Sequence, residues 1–280
     1  MAYEIRLLFT AVMFYTRIPV PDWVGYSPEQ LNASTRYFPL IGWLVGGVVG
    51  TLIWALHLVL PVAVAIVLAL VGGVLLTGAF HEDGFADVCD GFGGGTTPER
   101  TLEIMKDSRV GAYGVIAMVL LFALKIAVLI AFLTGETGRW IVQTWFVIPT
   151  VIFAQVVSRW AVTWVILRYE YARNDLTSKV KPIGRSIKRG SFLFGSLWML
   201  LALSLLALSV DEDAWLRLAI GGGAALLAWL SVLPLGAWFR KRLGGYTGDC
   251  LGAAQQITEQ VVLLAILVAA RLLLPGAVLA

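Results

Sequence analysis

The stretch Phe80–Gly91, which reads FHEDGFADVCDG, is a polar island in a chain that is otherwise strongly apolar. It carries Asp83, Asp87 and Asp90, and spacings of four and three residues place all three carboxylates on one face of a helix. No lysine or arginine lies between them. Because like charges on neighbouring turns repel, and more strongly where the dielectric constant is low, a bound cation would stabilise this stretch. The alternative interpretation is a solvated acidic helix end.

The type of ligand indicates the type of cation. Carboxylate oxygens without thiolates or paired imidazoles suit magnesium, or manganese as an alternative, better than zinc. We therefore predict that Asp83, Asp87 and Asp90 bind Mg²⁺. The glycine-rich segment 243–253, LGGYTGDCLGA, would add Asp249 to this site through a tight turn, and Glu259 would lie near it at the mouth of the last span. A glycine-rich hairpin capped by the aspartate is an equally good interpretation.

Composition identifies a membrane protein. The 280 residues are 59% hydrophobic and 14% charged, with a mean hydropathy of +0.84, whereas soluble domains contain about 25% charged residues. We predict one transmembrane catalytic domain over residues 1–280. The net charge of +3 is too small to indicate a nucleic-acid partner. Both cysteines, Cys89 and Cys250, are predicted on the cytoplasmic side, where a structural disulfide is not expected.

Apolar runs predict an all-α polytopic fold. About 20 apolar residues cross the roughly 30 Å of hydrocarbon in a bilayer. We predict seven spans, at 38–60, 61–80, 112–133, 140–167, 191–210, 215–239 and 260–279, with a small-residue ladder at Gly42, Gly46 and Gly50 for close helix packing. The N-terminal segment, bracketed by Arg6 and Arg17, is predicted as an interfacial helix rather than a cleaved signal.

The basic residues predict the orientation of these spans. A cytoplasmic N-terminus puts nearly all loop lysines and arginines on one side, as the positive-inside rule requires. The long polar loops, about 81–111, 168–190 and 240–259, then share the cytoplasmic face. A transporter would instead place polar groups near the bilayer midplane, often on broken helices. This distribution favours an enzyme with a cytoplasmic active site.

A second cluster follows the acidic stretch, at 102–111, LEIMKDSRVG. Ser108 is predicted to cap the third span. A helix N-terminus beside Lys106 and Arg109 is a suitable site for a phosphate. The alternative is that these basic residues anchor the chain at the membrane surface.

Three more residues are candidates because of where they fall. Arg159, within the fourth span, would point into a cavity beneath the acidic site. Lys125 and Arg271, also within spans, are expected to snorkel toward the interface. His81 is a candidate general base, although a single histidine at a helix end is more often a hydrogen-bonded structural residue.

Through most of its length, the chain resembles the cobalamin synthase family, also called adenosylcobinamide-GDP ribazoletransferases. The shared motifs are FYTRIPVP (14–21), FPLIG (38–42), H-x-D-G-x-A-D-x-x-D-G (81–91), LEIMKDSR (102–109), SR (158–159), YAR (171–173) and G-G-x-T-G-D-x-L-G-A (244–253), with Glu259. Glu82 stands where the family often has an apolar residue, so we do not count it as a ligand.

The resemblance implies a reaction and its participants. Adenosylcobinamide-GDP and α-ribazole, or α-ribazole 5′-phosphate, would give adenosylcobalamin, or its 5′-phosphate, and GMP, with Mg²⁺, at the bacterial inner membrane. The oligomeric state is left open, with a homo-oligomer as one option. The implied roles are catalysis by His81, Asp83 and Asp107, metal binding by Asp83, Asp87, Asp90 and Asp249, and substrate or phosphate binding by Lys106, Ser108, Arg109, Arg159, Thr247 and Glu259.

Two other functions are alternatives to this one. CDP-alcohol phosphotransferases also use aspartates and a metal on a diphosphate, but their motif begins Asp-Gly-x-x-Ala-Arg, whereas residues 83–87 read DGFAD, with one spacer fewer and an aspartate in place of the arginine. A cation transporter would need acidic or polar residues deep in several spans, and the intramembrane residues Lys125, Arg159 and Arg271 have the wrong sign for cation binding.

Overall fold

The computed structural model describes residues 2–134, 146–172, 186–209 and 214–273, and its elements are helices. Short 3₁₀ turns at Asp22–Val24 and Thr35–Tyr37 connect the first of them. The α-helices are α1 (Ala2–Tyr15), α2 (Pro28–Ser34), α3 (Phe38–His57), α4 (Val62–Thr77), α5 (Phe80–Gly94), α6 (Pro98–Ile104), α7 (Ala112–Leu133), α8 (Val147–Arg168), α9 (Arg189–Leu208), α10 (Ala214–Leu243) and α11 (Gly248–Leu273).

The all-α, polytopic prediction is confirmed. Within the described ranges, six helical segments are long and apolar enough to cross a membrane, and the bent pair α4–α5 makes a seventh if it counts as one span. The predicted start of the fourth span at 140 and the predicted ends of the fifth and seventh spans at 210 and 279 lie outside the described residues. In α8, Pro149 falls in the first turn, where proline is tolerated because the backbone N–H has no helical partner there.

The second predicted span differs from a simple crossing. Its helix α4 has 16 residues, a length of about 24 Å at 1.5 Å per residue, and the chain then bends by 90° into α5. The bend lies at Gly78 and Ala79, whose φ angles of 68° and 59° are both left-handed. A left-handed residue ends a helix, and it is uncommon for alanine. The sequence stays apolar through this point, so the predicted span runs on to residue 80.

Close packing of α3 on α8 forms the centre of the bundle. A Cβ atom added to Gly42, Gly46 or Gly50 would lie 2.5 to 2.9 Å from backbone atoms of Gln155, Ile152 and Ile148, respectively. Only glycine allows the two backbones to approach so closely, as small-residue ladders do in membranes. The predicted packing role of this ladder is therefore confirmed.

Several polar ends of the helices meet on one side of the bundle. After α8, the Ala172 N–H donates to the Tyr246 carbonyl (2.8 Å), and the Tyr246 N–H donates to the Glu170 carbonyl (3.0 Å). Gly245 is needed at this contact, because a Cβ there would lie 2.3 Å from the Glu170 oxygen. Arg242, at the end of α10, donates to the Phe92 and Gly95 carbonyls at the end of α5. The predicted clustering of the polar loops on one face agrees with these contacts.

The last helix begins much earlier than predicted. It starts at Gly248 rather than at 260, because the Thr247 hydroxyl accepts a hydrogen bond from the Cys250 N–H at its first turn. Residues 249–259 therefore belong to α11 and not to a loop. Gln255, Gln256 and Glu259 are buried in the bundle, so their polarity is not a sign of solvent exposure.

Candidate active site

The acidic helix α5 forms as predicted and carries Asp83, Asp87 and Asp90 on one face. Asp83 is exposed, and Asp87 is partly exposed. On an adjacent face, a Cβ at Gly84 would lie 2.9 Å from Cα and 3.0 Å from the carbonyl oxygen of Asp249. This glycine therefore lets the first turn of α11 lie directly against α5. The structure thereby brings Asp249 beside the aspartate helix.

Asp90 also has a structural partner. Its two carboxylate oxygens accept hydrogen bonds from the backbone N–H groups of Gly111 (2.7 Å) and Gly114 (2.9 Å), at the start of α7. A carboxylate is favourable there because it satisfies free N–H groups and faces the positive end of the helix dipole. The prediction that Ser108 caps this helix was wrong, since the N-cap is Gly111 and Ser108 is exposed. Metal binding by Asp90 stays a prediction.

Next to Asp90 lies an open pocket of about 570 Å³. Three carboxylates and two arginines line it, namely Asp90, Glu103, Asp107, Arg100 and Arg109. The structure thus brings together three members of the two predicted clusters. Because the carboxylates outnumber the arginines, an anionic ligand would be bound more favourably together with a cation.

The Asp107–Arg109 pair determines the properties of this pocket's rim. Arg109 donates to Asp107 through Nε (3.0 Å) and Nη2 (2.6 Å), and its backbone N–H donates to the same carboxylate (3.0 Å). These hydrogen bonds lower the pKa of Asp107 to about 2. A carboxylate with such a pKa is a weak base at neutral pH. The Arg109 side chain is exposed, and a surface pair of this kind is weak enough for a phosphate to compete with it.

His81 lies in the interior rather than at the open pocket. It is buried, and its ring stacks on Phe38 and Tyr15 with centroid distances of 5.6 and 6.4 Å. Its Nε2 atom has no hydrogen-bond partner among the described residues. This environment favours the structural interpretation of His81 over the catalytic one, which stays a prediction.

Lys125 and Glu259 occupy positions that differ from those predicted. Lys125 does not snorkel, since it is 3% exposed and its Nζ lies 2.9 Å from Oε1 of Glu259, which is also 3% exposed. Glu259 does not lie at the mouth of α11, because it is eleven residues beyond Gly248, about 16 Å along the helix. Its predicted contact with the metal or the phosphate would require it to leave this buried pair.

Arg159 points into a cavity, as predicted, but the cavity is small and interior. It encloses about 30 Å³ and is also lined by His81, Glu82 and Gln256. The guanidinium donates to the side chain and the backbone carbonyl of Gln155. Phosphate binding by Arg159 stays a prediction without a contact that supports it.

Sequence reasoning did not identify two polar residues that line this cavity, Glu82 and Gln256. Gln256 Nε2 donates to Glu82 Oε1 (3.0 Å), and Lys125 Nζ donates to Gln256 Oε1 (3.2 Å). The sequence did contain a signal for Gln256. Gln255 and Gln256 lie four and three residues before Glu259, the spacing of one helix face, just before an apolar run. We interpreted this segment as a loop because the chain is polar there.

The remaining predicted residues have mixed environments. Thr247 is buried and donates to Asp249 Oδ2 (3.3 Å), so it positions Asp249. Lys106 is exposed on the turn that follows α6. Across the described ranges, no three His, Cys, Asp or Glu side chains are grouped closely enough to hold a metal by themselves.

These features define the class of the protein, a polytopic helical membrane protein with a pocket lined by carboxylates and arginines at one end. Comparison with known proteins is specific. The profile of the cobalamin-5-phosphate synthase family matches residues 7–267, and the chain belongs to that family. The family assignment makes it a transferase of cobalamin biosynthesis.

Curated relatives agree over nearly the whole chain. A protein of Shewanella frigidimarina named adenosylcobinamide-GDP ribazoletransferase is 40% identical over 264 residues, covering 94% of this chain and 95% of the relative. One of the same name from Leptothrix cholodnii is 43% identical over 264 residues, covering 92% and 93%. One from Ralstonia pickettii is 40% identical over 259 residues. No solved structure matches the chain.

Proposed function

We propose that this protein is an adenosylcobinamide-GDP ribazoletransferase that joins adenosylcobinamide-GDP to α-ribazole, or to its 5′-phosphate, and releases GMP. The observation that carries the proposal is the acidic helix α5, whose Asp90 lines a pocket together with Arg100 and Arg109 and whose Gly84 packs against Asp249. Family membership supports the same reaction. A pocket of about 570 Å³ is within the roughly 300–1,000 Å³ range of small-molecule sites.

The reaction exchanges one phosphorus–oxygen bond for another. A ribose hydroxyl of α-ribazole attacks the phosphorus that is linked to cobinamide, and the bond from that phosphorus to the GMP phosphate breaks. GMP leaves with the electron pair, and the proton of the hydroxyl passes to a carboxylate of the acidic face. Of the predicted bases, the exposed Asp83 is better placed than the buried His81, and the low pKa of Asp107 disfavours it.

Arg109 and Arg100 would stabilise the negative charge that grows on the departing phosphate. Arg109 can do so because its ion pair with Asp107 is exposed and exchangeable. The rest of catalysis is positioning of the hydroxyl against the diphosphate. Lys106 and Ser108, which are exposed on the same turn, would extend this phosphate-binding surface.

The acidic face fits a hard divalent cation in its chemistry. Mg²⁺ is usually bound by one or two carboxylates together with substrate phosphates rather than by an all-protein cage, which agrees with the lack of a three-residue group in the described chain. One or two of the four carboxylates Asp83, Asp87, Asp90 and Asp249 would hold Mg²⁺, or Mn²⁺, together with oxygens of the substrate diphosphate. When bound, the cation would neutralise negative charge on the diphosphate.

We place the pocket on the cytoplasmic side of the bacterial inner membrane, with the N-terminus on the same side. The support is the positive-inside rule, because the helix ends around the pocket carry many basic residues, namely Arg100, Lys106, Arg109, Arg240, Lys241 and Arg242. Nucleotide-linked substrates would then reach the site from the cytoplasm, and α1 would lie along the membrane surface.

The test is an assay for GMP. Protein purified in detergent is incubated with adenosylcobinamide-GDP, α-ribazole 5′-phosphate and Mg²⁺, and we expect GMP release by the wild type and none by Asp83→Asn. Asp22→Asn, an exposed aspartate outside the site, is the control and should remain active. Full activity of Asp83→Asn would contradict the site. Metal flux in liposomes without GMP release would favour the cation transporter instead.

A further inference from the structure

A continuous chain of polar contacts links three helices in the interior of the bundle. Glu259 on α11 pairs with Lys125 on α7 (2.9 Å), Lys125 donates to Gln256 on α11 (3.2 Å), and Gln256 donates to Glu82 on α5 (3.0 Å). Arg159 on α8 interacts electrostatically with both glutamates. We call these five side chains the interior network.

The charges of the interior network balance. It contains two cations and two carboxylates, and Lys125, Arg159, Gln256 and Glu259 are each at most 3% exposed. Buried charges persist when they are paired and hydrogen-bonded. The network therefore needs no external ion for neutrality, and its cavity of about 30 Å³ is too small for a substrate. It is better explained as a structural support than as a second binding site.

At its start, α5 is packed through Gly84 against Asp249 and through His81 against Phe38, and the network adds a hydrogen bond to this packing. Helix α5 begins directly after the left-handed pair Gly78–Ala79, and its first turn has no side-chain cap. Because the chain bends by 90° between α4 and α5, α4 does not fix the direction of α5. The other end of α5 is held by Asp90, which accepts hydrogen bonds from backbone N–H groups at the start of α7. Glu82 is eight residues before Asp90, about 12 Å along the helix.

We infer that Glu82 and Gln256 are positioning residues for the catalytic aspartates, because they fix the rotation of α5 about its own axis. This inference rests on the proposed function. Asp83 and Asp87 lie between the two anchors, Glu82 at one end and Asp90 at the other. A rotation of α5 would move both carboxylates relative to Asp249, on the neighbouring helix. Glu82 itself faces the interior cavity and does not reach the open pocket.

Helix α11 offers a matched pair of variants. Gln256 and Gln260 are one turn apart and are 2% and 5% exposed, but no described residue hydrogen-bonds the Gln260 amide. Gln256→Leu should lower the rate of GMP release by about 10–100-fold and raise the Mg²⁺ concentration for half-maximal activity, as loss of a residue that orients metal ligands does. Gln260→Leu should leave both quantities near the wild-type values.

The coupling between Glu82 and Gln256 is tested with the double variant. If the two residues act through one hydrogen bond, Gln256→Leu should have a smaller effect in the Glu82→Leu background than in the wild type, and the double variant should be no worse than Glu82→Leu alone. Melting temperatures are measured for all proteins. An unchanged Mg²⁺ requirement in Gln256→Leu, or losses that add in the double variant, would overturn the inference and leave only a role in stability.

The proposed function can fail separately. Wild-type protein that releases no GMP would refute the proposed function without deciding whether Glu82 and Gln256 orient the aspartates. Direct binding of Mn²⁺, followed by its electron paramagnetic resonance signal, then decides the matter for wild type and for both glutamine variants. Weaker Mn²⁺ binding by Gln256→Leu alone supports the inference, and equal binding by all three proteins contradicts it.

Discussion

Removal of Lys125 should be the most destabilising single change in the interior network. The Lys125→Met variant leaves the carboxylate of Glu259 buried without its ion-pair partner, and only Arg159 still interacts with it electrostatically. It also removes the donor to Gln256. Replacing both charged partners, with Lys125→Met and Glu259→Gln together, removes the charge pair and leaves a neutral amide that can bond to Gln255, its present neighbour at 3.1 Å.

The expected magnitude follows from the geometry of the pair. At a separation of 2.9 Å and an effective dielectric constant of about 20, Coulomb's law gives an attraction of about 6 kcal/mol. Part of this attraction compensates for the lost hydration of both ions. Breaking a buried pair by removing one partner typically costs about 3–5 kcal/mol, whereas replacing both is often nearly neutral. We expect the single variant to lose that amount and the double variant to recover most of it.

The assay is reversible unfolding in mixed detergent micelles, with the free energy of unfolding measured for the two single variants and the double variant. The exposed pair Arg100–Glu103 is the control. Its atoms are closer, at 2.6 Å, but its side chains are 56% and 68% exposed, so Arg100→Met should cost less than about 1 kcal/mol. A loss below about 1 kcal/mol in Lys125→Met, or a double variant as unstable as the sum of the singles, would refute the buried-pair reasoning.

Two other predictions concern the candidate active site. Gly84→Ala should slow GMP release by about 100-fold, because the added Cβ would push the Asp249 backbone away and a misplacement of about 1 Å can reduce a rate by that factor. Gly47→Ala is the control in the same rate assay and should be fully active, because no atom lies within 4 Å of its added Cβ. Asp107→Asn should keep the acid limb of kcat/KM between about pH 5 and 7, because Arg109 lowers the pKa of Asp107 to about 2 and the group stays ionised throughout that range; loss of the limb would identify it as the base.

The spans and the acidic helix were predictable because each depends on local sequence. A run of about 20 apolar residues is enough to indicate a crossing, and the spacing of Asp83, Asp87 and Asp90 is enough to indicate a shared face. The bend at Gly78 and Ala79 was not predicted, because the chain stays apolar through it, although a glycine such as Gly78 often ends a helix.

The interior network could not be predicted because its contacts join distant parts of the chain. Lys125 and Gln256 are separated by 131 residues, and Gln256 and Glu82 by 174. Without these partners, a lysine in a span is expected to snorkel, and polar residues before an apolar run are expected to form a loop. Both expectations were wrong for the same reason, since hydropathy does not show which polar groups satisfy one another.

The two sets of acidic residues differ in what they leave unbalanced, and this difference favours an enzyme over an ion carrier. Deep in the bundle, Glu82 and Glu259 are matched by two buried cations, so a transported cation would find no net negative charge there. At the open pocket, the described lining has one carboxylate more than its arginines, and Asp83 is exposed on the same helix as Asp90. A divalent cation would more than offset that excess and would allow a diphosphate to bind beside it, whereas the excess carboxylate would repel a diphosphate without the cation. The buried polar residues therefore fit the structural role that we infer for them, and the exposed face of the acidic helix is where we propose that the chemistry takes place.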